Sequence, residues 1–325
     1  MPNRLYETPG TDPALNLAVE EALLLSQSPE PALFLWQNAH TVVIGRGQNA
    51  WKECRTALLS EEGGTLVRRT TGGGAVYHDL GNLNFSFVMP QGLYDVTRQL
   101  DVIRKAVARF GIETAASGRN DIVLSSSGAK FSGNAFRHLP LSSLHHGTIL
   151  MDVDVSLLGR YLAPPATKLQ AKGVESVRSR VGNLKEHAPG MTIPSLKEAL
   201  FEAFAEEYGP ARPFAWEEAL PARQVDELSR KYRDWEWTYG KTPRFDALLE
   251  NRFPWGGVEI NLSLKNGRVT SAVCFTDAND AELAARLGRA LECRAFTPGE
   301  LGAGLSDSAF PEDRDVAAWL SGLQL

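Results

Sequence analysis

Residues 67–79 of this 325-residue chain read Val-Arg-Arg-Thr-Thr-Gly-Gly-Gly-Ala-Val-Tyr-His-Asp. A β-type run, Thr65 to Val67, leads through two arginines and two threonines into three consecutive glycines. Glycine has no Cβ, so the backbone N–H groups of such a loop approach a ligand closely and bind anions. Arginine adds bidentate recognition of phosphate or carboxylate. The stretch therefore predicts a phosphate cradle, although a flexible hairpin with solvated arginines would have the same composition.

Two further β-type runs, Asp121 to Leu124 and Ala129 to Ser132, flank a turn at Ser125 to Gly128. Lys130 lies in the second run among apolar and small residues, which is unusual for a solvated side chain. Held near two anions, its ammonium would reduce their repulsion and stabilise charge developing between them. Asp121 offers a carboxylate for Mg²⁺, a usual companion of nucleotide phosphates. A surface lysine on an edge strand and an aspartate that caps a turn are equally compatible with either residue alone.

The chain around these segments mixes short β-type runs with amphipathic helices. Residues Asp12 to Leu25 and Val96 to Phe110 predict helices. From Leu83 to Met89 large apolar residues alternate with small or polar ones, as in a strand with one buried face. Ser195 and Glu198 form a capping-box signature for a further helix. Because these elements show no regular βαβ rhythm, they indicate an α+β fold.

The chain divides by composition into three parts. Residues 1–233 are predicted to form a large domain, and residues 234–250 a connector that begins rich in Trp, Tyr, Gly and Pro. Residues 251–325 are predicted to form a small α+β domain. Within it, Asn266-Gly267 between two alternating runs is a strong hairpin signal.

Composition and charge exclude several classes of protein. Hydrophobic residues make up 43% and charged residues 22%, as in an ordinary globular protein. No apolar run approaches the ~20 residues that span a bilayer. The net charge of −5 disfavours a general nucleic-acid binder, and three cysteines without disulfide or metal spacing fit a reducing compartment. Because Met1 to Pro9 show no export signal, we expect a cytoplasmic protein without membrane or nucleic-acid partners.

Two other segments carry weaker signals. His145 and His146 are adjacent on a predicted strand and point to opposite faces, so they form a poor chelating pair and are interpreted as structural or site-lining. The basic stretch from Lys168 to Leu184 is equally compatible with an anion-binding loop and a solvated segment. No Ser-His-Asp or Cys-His arrangement stands out, which disfavours a covalent acyl-enzyme.

Several motifs, in order along the chain, resemble the lipoate–protein ligase A family of the biotin/lipoate ligase superfamily. The segment Arg68 to Asp79 with Gly81-Asn82 is similar to the family's RRxSGGGAVFHDxGN signature, with Thr71 in place of Ser and Tyr77 in place of Phe. Further matches are Asn16-Leu17-Ala18 with Glu20-Glu21, Ile44 to Asn49, Asn120-Asp121, Lys130 to Ala135, His145 to Thr148, Lys172-Gly173 through Arg180-Val181, and Trp237 to Pro243. The resemblance covers nearly the whole chain.

The resemblance implies a fold and a reaction. The fold would be α+β, with a large mixed-sheet catalytic domain of the biotin/lipoate ligase type and a small α+β C-terminal domain that pivots between half-reactions. The enzyme would be an ATP-dependent, AMP-forming lipoate–protein ligase. Lipoate and MgATP would give lipoyl-AMP and pyrophosphate, and the lipoyl group would pass to a lysine of an apo lipoyl domain. The implied acceptors are E2 subunits of 2-oxo acid dehydrogenases and the glycine-cleavage H protein, and the enzyme is expected to be a monomer.

The resemblance also implies site residues. ATP and lipoyl-AMP would contact Arg69, Thr71, Gly73, Gly74, Ala75, Val76, Tyr77, His78, Asn120, Asp121 and Lys130. Lys130 would be catalytic, touching both the lipoate carboxyl and the α-phosphate, and lipoate would also contact Gly74. Asp121 would ligate Mg²⁺, and Tyr77 would lie near the adenine. The lipoyl tail would lie in an apolar tunnel beneath the glycines, and Lys172 to Arg180 would close over the adenylate.

Three alternatives stay open for the same residues. A lipoyl or octanoyl transferase would take a pre-activated acyl group, commonly on a cysteine, and Cys54 lies outside the glycine and lysine segments. A biotin ligase would be expected to show GRGRxGR, where this chain has Gly45 to Asn49. A non-catalytic regulator would use the glycine segment only to bind an anion. Pyrophosphate release that depends on ATP and lipoate would distinguish the ligase from all three.

Overall fold

The computed structural model describes residues 2–118, 121–162, 181–241, 245–276, 278, 280 and 282–325, with Lys52 and Phe245 described by their backbones. Its Cα packing separates two units, one made of Met1–Arg46 with Gly63–Arg233 and the other of Gly47–Glu62 with Asp234–Leu325. The sequence predicted one domain for residues 1–233, whereas in the structure Gly47–Glu62 packs with the C-terminal unit. In the described part of the chain, no helix combines the length and hydropathy that crossing a membrane requires.

The described elements have the following bounds. The strands are β1 (Asn3–Glu7), β2 (Ala32–Trp36), β3 (Thr41–Ile44), β4 (Thr65–Arg68), β5 (Val76–His78), β6 (Asn82–Pro90), β7 (Thr114–Ser117), β8 (Asp121–Leu124), β9 (Lys130–His138), β10 (Ser142–Leu150), β11 (Ala211–Pro213), β12 (Phe245–Phe253), β13 (Gly256–Lys265) and β14 (Arg268–Thr276). The α-helices are α1 (Pro13–Ser26), α2 (Ala50–Glu53), α3 (Thr56–Glu61), α4 (Val96–Ala108), α5 (Val155–Tyr161), α6 (Ile193–Tyr208), α7 (Trp216–Ala219), α8 (Ala222–Arg233), α9 (Leu283–Leu291), α10 (Pro298–Ala303) and α11 (Pro311–Ser321).

A mixed sheet of eight strands forms the centre of the first unit, in the order β11-β1-β2-β6-β10-β9-β8-β7. Strand β1 runs parallel to both β2 and β11, and the other neighbours are antiparallel. Sequential strands and helices mix without repeated βαβ units, so the α+β class predicted from the sequence is confirmed.

Strand β6 gives this sheet one apolar and one polar face. Leu83, Phe85 and Phe87 are fully buried in the main core. Because successive side chains of a strand alternate between faces, Asn84 and Ser86 point to the opposite side. The alternation predicted for Leu83 to Met89 is therefore confirmed, and it leaves polar groups on the face that carries the site described below.

Helices α4 and α6 cover the apolar face of the sheet. Val102 and Ile103 of α4 and Phe204 of α6 are fully buried in the same core. Each such side chain contributes about 1.5–3 kcal/mol relative to an exposed one, which anchors both helices.

The start of α6 differs from the prediction. Its capping box joins Thr192 with Ser195, not Ser195 with Glu198. The helix begins earlier because Pro194, in its first turn, has a φ angle already suited to a helix.

Helix α1 lies on the polar side of the large sheet, and a separate small sheet has the order β4-β3-β5. Asp12 caps α1 by accepting from the N–H of Ala14 at 3.0 Å. Glu20 is buried within α1, and it accepts a hydrogen bond from Ser86 of β6 at 2.5 Å. Polar groups of the helix therefore meet polar groups of the sheet.

The second unit contains the antiparallel sheet β12-β13-β14. Alternate residues of β13, such as Val258 and Ile260, pack with Leu287 of α9. The β13–β14 hairpin turns at Asn266 and Gly267, whose φ angles are 53° and 70°. Both angles lie in the left-handed region that such a turn needs, so the hairpin predicted from Asn-Gly is confirmed.

Candidate active site

A cavity of about 240 Å³ lies between the polar face of the large sheet and the glycine loop, Thr71 to Ala75. Strands β5, β6, β8, β9 and β10 contribute to its walls, together with α1. The predicted site residues that line it are Arg69, Gly73, Gly74, Ala75, Val76, His78, Asp121 and Lys130. The fold therefore brings the glycine segment and the lysine segment, which are distant in sequence, to one place.

One row of residues across the sheet forms the cavity floor. In register, Trp36 of β2 lies opposite Asn84 of β6, and Asn84 lies opposite Thr148 of β10. The hydroxyl of Thr148 accepts from the N–H of Gly133 at 3.4 Å, and Gly133 lies opposite Asp121 of β8. The row runs from an indole at one end to a carboxylate at the other.

A β-bulge directs Lys130 into this cavity. Lys130 and Gly133 are three residues apart, so in a regular strand they would point to opposite faces. The pairing between β8 and β9 shifts by one residue at Ile122 and Val123, which puts Lys130 on the same face as Asp121. Lys130 Nζ lies 2.6 Å from Asp121 Oδ1. The lysine is therefore a cavity residue, and not the solvated edge residue that its sequence alone also allowed.

The two arginines before the loop have different positions. Arg68 is fully buried and donates to the carbonyls of Gly45 and Arg46, both at 3.1 Å. Arg69 lines the cavity and donates to the carbonyls of Gly72 and Gly74 at 2.6 and 2.8 Å. Of the two arginines that precede the glycines, Arg68 therefore binds the backbone carbonyls of the neighbouring turn, and Arg69 is the one that lines the cavity. Burial lowers the pKa of each arginine to about 10, so both remain charged at neutral pH.

The glycine loop depends on close backbone packing at two positions. Gly73 has a φ of +90°, in the left-handed region, and a Cβ there would lie 2.9 Å from Arg69 Nη2. A Cβ on Gly45 would collide with the Gly73 carbonyl. Side chains at these positions would displace the loop from the cavity edge.

Thr71 links the glycine loop to the large sheet through its side-chain hydroxyl. Arg69 Nε donates to its hydroxyl at 2.9 Å, and the hydroxyl lies 2.8 Å from His146 Nε2. His146 Nδ1 in turn lies 2.7 Å from Glu20 Oε1. Thr71, predicted as an ATP contact, is therefore not in the described cavity lining, and it binds Arg69, which is.

Tyr77 also lies away from the cavity. Its ring packs against His40 and Tyr161, with ring centroids 5.9 and 5.4 Å apart. Val76 and His78, its neighbours on β5, line the cavity, so strand alternation directs Tyr77 to the other face. The ring is therefore not part of the described cavity lining, and its proximity to the adenine stays a prediction. The predicted contact Asn120 and the predicted closing segment Lys172 to Arg180 lie outside the described residues.

The histidine pair points to two faces, as the sequence predicts. His146 lines the cavity, whereas His145 is fully buried and bonds to Gln99 Oε1 at 2.8 Å. Burial lowers the pKa of His145 to about 3, so it stays neutral. His145 is therefore structural, and His146 belongs to the site.

Sequence reasoning missed several residues of the cavity. Trp36, Asn84, Asn134 and Thr148 all line it, and none was singled out as a contact. For Asn84 the available signal was the polar half of the alternating pattern in β6, which marks the strand face opposite the core.

Metal-binding side chains are sparse in the described part of the chain. Within those residues there is no group of three or more His, Cys, Asp or Glu that could hold a metal ion. Asp121 is the carboxylate among the described residues that line the cavity. A lone carboxylate suits Mg²⁺ bound mainly through substrate phosphates and water, and does not suit a structural zinc site.

The cysteines lie elsewhere. None of Cys54, Cys274 and Cys293 belongs to the described cavity lining. Burial raises the pKa of Cys54 to about 12 and that of Cys274 to about 11, which leaves little thiolate at neutral pH. The site offers no thiol nucleophile among its described residues.

Comparison with known proteins agrees with this arrangement. Residues 12–205 match the lipoyl protein ligase A/B catalytic domain, and residues 242–313 match the bacterial lipoate protein ligase C-terminus. The chain is similar to P. falciparum LipL1 in complex with lipoate, with 27% identity and a TM-score of 0.63 over 99% of this chain and 100% of that chain.

Two further solved structures are similar over about three quarters of the chain. A bipartite lipoate protein ligase and its E2 lipoyl domain from Thermoplasma acidophilum give 29% identity and a TM-score of 0.63, over 75% of this chain and 99% of that chain. A lipoate-protein ligase A bound with ATP gives 28% identity and a TM-score of 0.60, over 74% and 100%. The large mixed sheet with a small C-terminal α+β domain is the fold that the resemblance implied. This protein belongs to the lipoate–protein ligase family.

Proposed function

We propose that this chain uses MgATP to convert lipoate into lipoyl-AMP and pyrophosphate, and then transfers the lipoyl group to a lysine of an apo lipoyl domain. The proposal is carried by one cavity in which Lys130 and Asp121 face the glycine loop beside apolar walls. The similar structures support it, because one contains lipoate, another ATP, and a third is described with its E2 lipoyl domain.

The apolar walls would hold the lipoyl chain. Leu17, Val43 and Val76 line the cavity with aliphatic groups. The indole N–H of Trp36 donates to Ser86 at 2.9 Å. Because this bond satisfies the one polar group of the indole, the rest of the ring gives the cavity an apolar surface. Burying the chain here stabilises the complex by about 25 cal/mol for each Å² of apolar area removed from water. That burial would also fix the position of the carboxylate.

The first half-reaction joins two anions. A lipoate carboxylate oxygen attacks the α-phosphorus of ATP, and the bond from that phosphorus to the pyrophosphate oxygen breaks. Lys130, held at the cavity wall, would lie between carboxylate and phosphate, reduce their repulsion and stabilise the charge that develops on the phosphoryl oxygens. No protein nucleophile takes part, so the contribution of the protein is positioning and charge neutralisation.

Asp121 and the loop would hold the nucleotide. Mg²⁺ is usually bound by one or two carboxylates together with substrate phosphates, which Asp121 fits. The ion would neutralise phosphate charge when bound. Arg69 would supply a fixed positive charge beside the loop, and the cavity-lining backbone of Gly73 and Gly74 would approach the phosphates without a Cβ in the way.

The second half-reaction transfers the acyl group. The lysine amine of the acceptor attacks the acyl carbon of lipoyl-AMP, the bond from that carbon to the phosphate oxygen breaks, and the amine loses a proton. Lys130 would stabilise the phosphate of the departing AMP. We propose E2 lipoyl domains and the glycine-cleavage H protein as the acceptors.

The test is incubation of the full-length protein with ATP, Mg²⁺, lipoate and a purified apo lipoyl domain. Pyrophosphate release reports the first step, and mass spectrometry of the acceptor reports the second, with an E2 domain and an H protein tried in parallel. The variant Lys130→Ala is expected to lower pyrophosphate release at least about a hundredfold. The matched control is Lys105→Ala, which removes a surface lysine paired with Glu207 at 2.6 Å and should behave as wild type.

The outcomes separate the candidate functions. A transferase would modify the acceptor from preformed lipoyl-AMP without releasing pyrophosphate from ATP. A non-catalytic regulator would do neither. Pyrophosphate release by Lys130→Ala at the wild-type rate would remove Lys130 from the mechanism.

A further inference from the structure

Two buried nitrogen atoms lack a hydrogen-bond partner, one on Asn84 and one on His78, whose ring centroid lies 6.3 Å from that of Trp36, the register partner of Asn84. Asn84 and His78 are both 2% exposed, and both line the cavity. Neither Asn84 Nδ2 nor His78 Nε2 meets an acceptor among the described residues. Folded proteins pair nearly all of their buried polar groups, so two such atoms on residues that line one cavity indicate that a ligand or water completes them.

The other hydrogen bonds of these two side chains determine whether their unpartnered atoms are donors or acceptors. Asn16 donates to Asn38 Oδ1 at 3.0 Å, and the other amide atom of Asn38, Nδ2, therefore donates to His78 Nδ1 at 3.2 Å. Because Nδ1 accepts, the proton of the neutral imidazole is on Nε2. Asn82 donates to Asn84 Oδ1 at 3.0 Å, which leaves the Asn84 amino group as the unpartnered end of that side chain. Both unpartnered atoms are thus N–H donors.

The distance from these donors to the Lys130 ammonium, which would bind a carboxylate, matches the length of an extended eight-carbon acid. A Cβ on Gly133 of β9 would lie 2.8 Å from Lys130 Nζ, and β10 lies between Gly133 and Asn84 of β6. Two strand spacings amount to about 10 Å. An extended eight-carbon acid, with C–C bonds of about 1.5 Å, has a similar length. A carboxylate at Lys130 would therefore bring the far end of its chain to Asn84 and His78.

We propose, resting on the ligase function proposed above, that Asn84 and His78 select the acyl substrate by its distal end. Their N–H groups donate to the dithiolane sulfurs of lipoate, and they disfavour a plain saturated chain such as octanoate. Sulfur is a weak acceptor, and an alkyl carbon is none. Octanoate would exclude water from both donors and give no hydrogen bond in return, and a site built on buried donors rejects a ligand that leaves them unpaired.

The test compares lipoate with octanoate in pyrophosphate release by the full-length protein and by the variants Asn84→Leu and His78→Phe. The wild-type kcat/KM should favour lipoate about tenfold or more. Each variant should reduce that preference about fivefold, chiefly by raising kcat/KM for octanoate. The control Leu17→Val shortens an apolar wall that both chains contact, so both kcat/KM values should change together and the preference should remain.

Two results would overturn the proposal that these donors select lipoate. One is an equal kcat/KM for lipoate and octanoate in the wild type, and the other is an unchanged preference for lipoate in both variants. Absence of pyrophosphate release with either acid in the wild type would instead contradict the proposed function. A measurement independent of the variants is ¹⁵N NMR of the histidines in the wild-type protein. His78 should carry its proton on Nε2, and a proton on Nδ1 would remove the proposed donor.

Discussion

Lys130 Nζ and Asp121 Oδ1 lie 2.6 Å apart, so the ammonium and the carboxylate of the cavity neutralise each other. The two side chains are 31% and 39% exposed. At such exposure an ion pair contributes little to folding, about 0–1 kcal/mol. The pair can therefore exchange partners at low cost, the ammonium for a substrate anion and the carboxylate for a cation.

The position of the ammonium depends on Gly133. A Cβ at this residue would lie 2.8 Å from Lys130 Nζ and 2.9 Å from Cε, so Gly133→Ala must displace the end of the lysine. We expect kcat for pyrophosphate release to fall ten- to a hundredfold, because a shift of about 1 Å in a catalytic group has effects of that size. Gly190→Ala, where a Cβ would meet no atom within 4 Å, should leave the rate unchanged. Equal rates for the two variants would contradict the placement of Lys130.

The carboxylate of Asp121 is expected to set the Mg²⁺ requirement. Asp121→Asn keeps the shape of the side chain and removes its charge, so the Mg²⁺ concentration for half-maximal pyrophosphate release should rise about tenfold. The measurement is a Mg²⁺ titration at fixed ATP and lipoate. Asp152→Asn is the control, since Asp152 pairs with Lys185 at 2.5 Å and does not line the described cavity. An unchanged titration for Asp121→Asn would rule out the assigned role.

The hydroxyl of Thr71 is expected to hold the glycine loop in place. Thr71→Val preserves volume and leaves Arg69 Nε and His146 Nε2 without this partner. The unfolding free energy should fall by about 1–3 kcal/mol, and KM for ATP should rise more than KM for lipoate. Urea unfolding and initial rates report the two effects. The control Thr270→Val, at an exposed position in the second unit, should change neither the stability nor the KM values. A Thr71→Val protein with normal stability would show that the hydrogen bonds of the Thr71 hydroxyl are dispensable.

Two buried histidines are expected to make stability depend on pH. Burial lowers the pKa of His78 and of His145 from 6.5 to about 3. At a pH between about 3 and 6.5, each of these histidines is protonated in the unfolded chain and neutral in the folded chain. The free energy of unfolding therefore decreases as the pH falls below 6.5. The slope should be about 1.4 kcal/mol per pH unit for each histidine.

Urea unfolding of the wild type at pH 6 and pH 5 measures that slope. His145→Gln should remove about half of it, because Gln at this position does not titrate. A slope that stays unchanged in the variant would show that other groups cause the pH dependence.

Much of the fold followed from short-range rules. The alternation in Leu83 to Met89 predicted which face of β6 enters the core, since a strand has a period of two wherever it lies. Asn266-Gly267 predicted a hairpin because few residues adopt its left-handed turn. Capping at α6 was predicted one turn too late, because Ser195 and Glu198 offered a competing local pattern.

The site was predicted in part. The glycine segment and Lys130 were both identified, and the fold brings them to one cavity. The burial of Arg68 and the outward face of Tyr77 were not foreseen. Both depend on neighbours from other strands, which no local pattern describes.

The sequence by itself determined which reactive groups this protein carries: three consecutive glycines, a lysine in an apolar run and an aspartate nine residues before it. Only the tertiary structure decided which groups meet. A one-residue bulge in β9 turns Lys130 toward Asp121, strand register places Asn84 of β6 across β10 from β9, and His78 of β5 reaches the same cavity from the small sheet. The physical reason is that residue type and strand period act within a few residues, whereas register, burial and hydrogen-bond pairing depend on contacts between segments far apart in the chain.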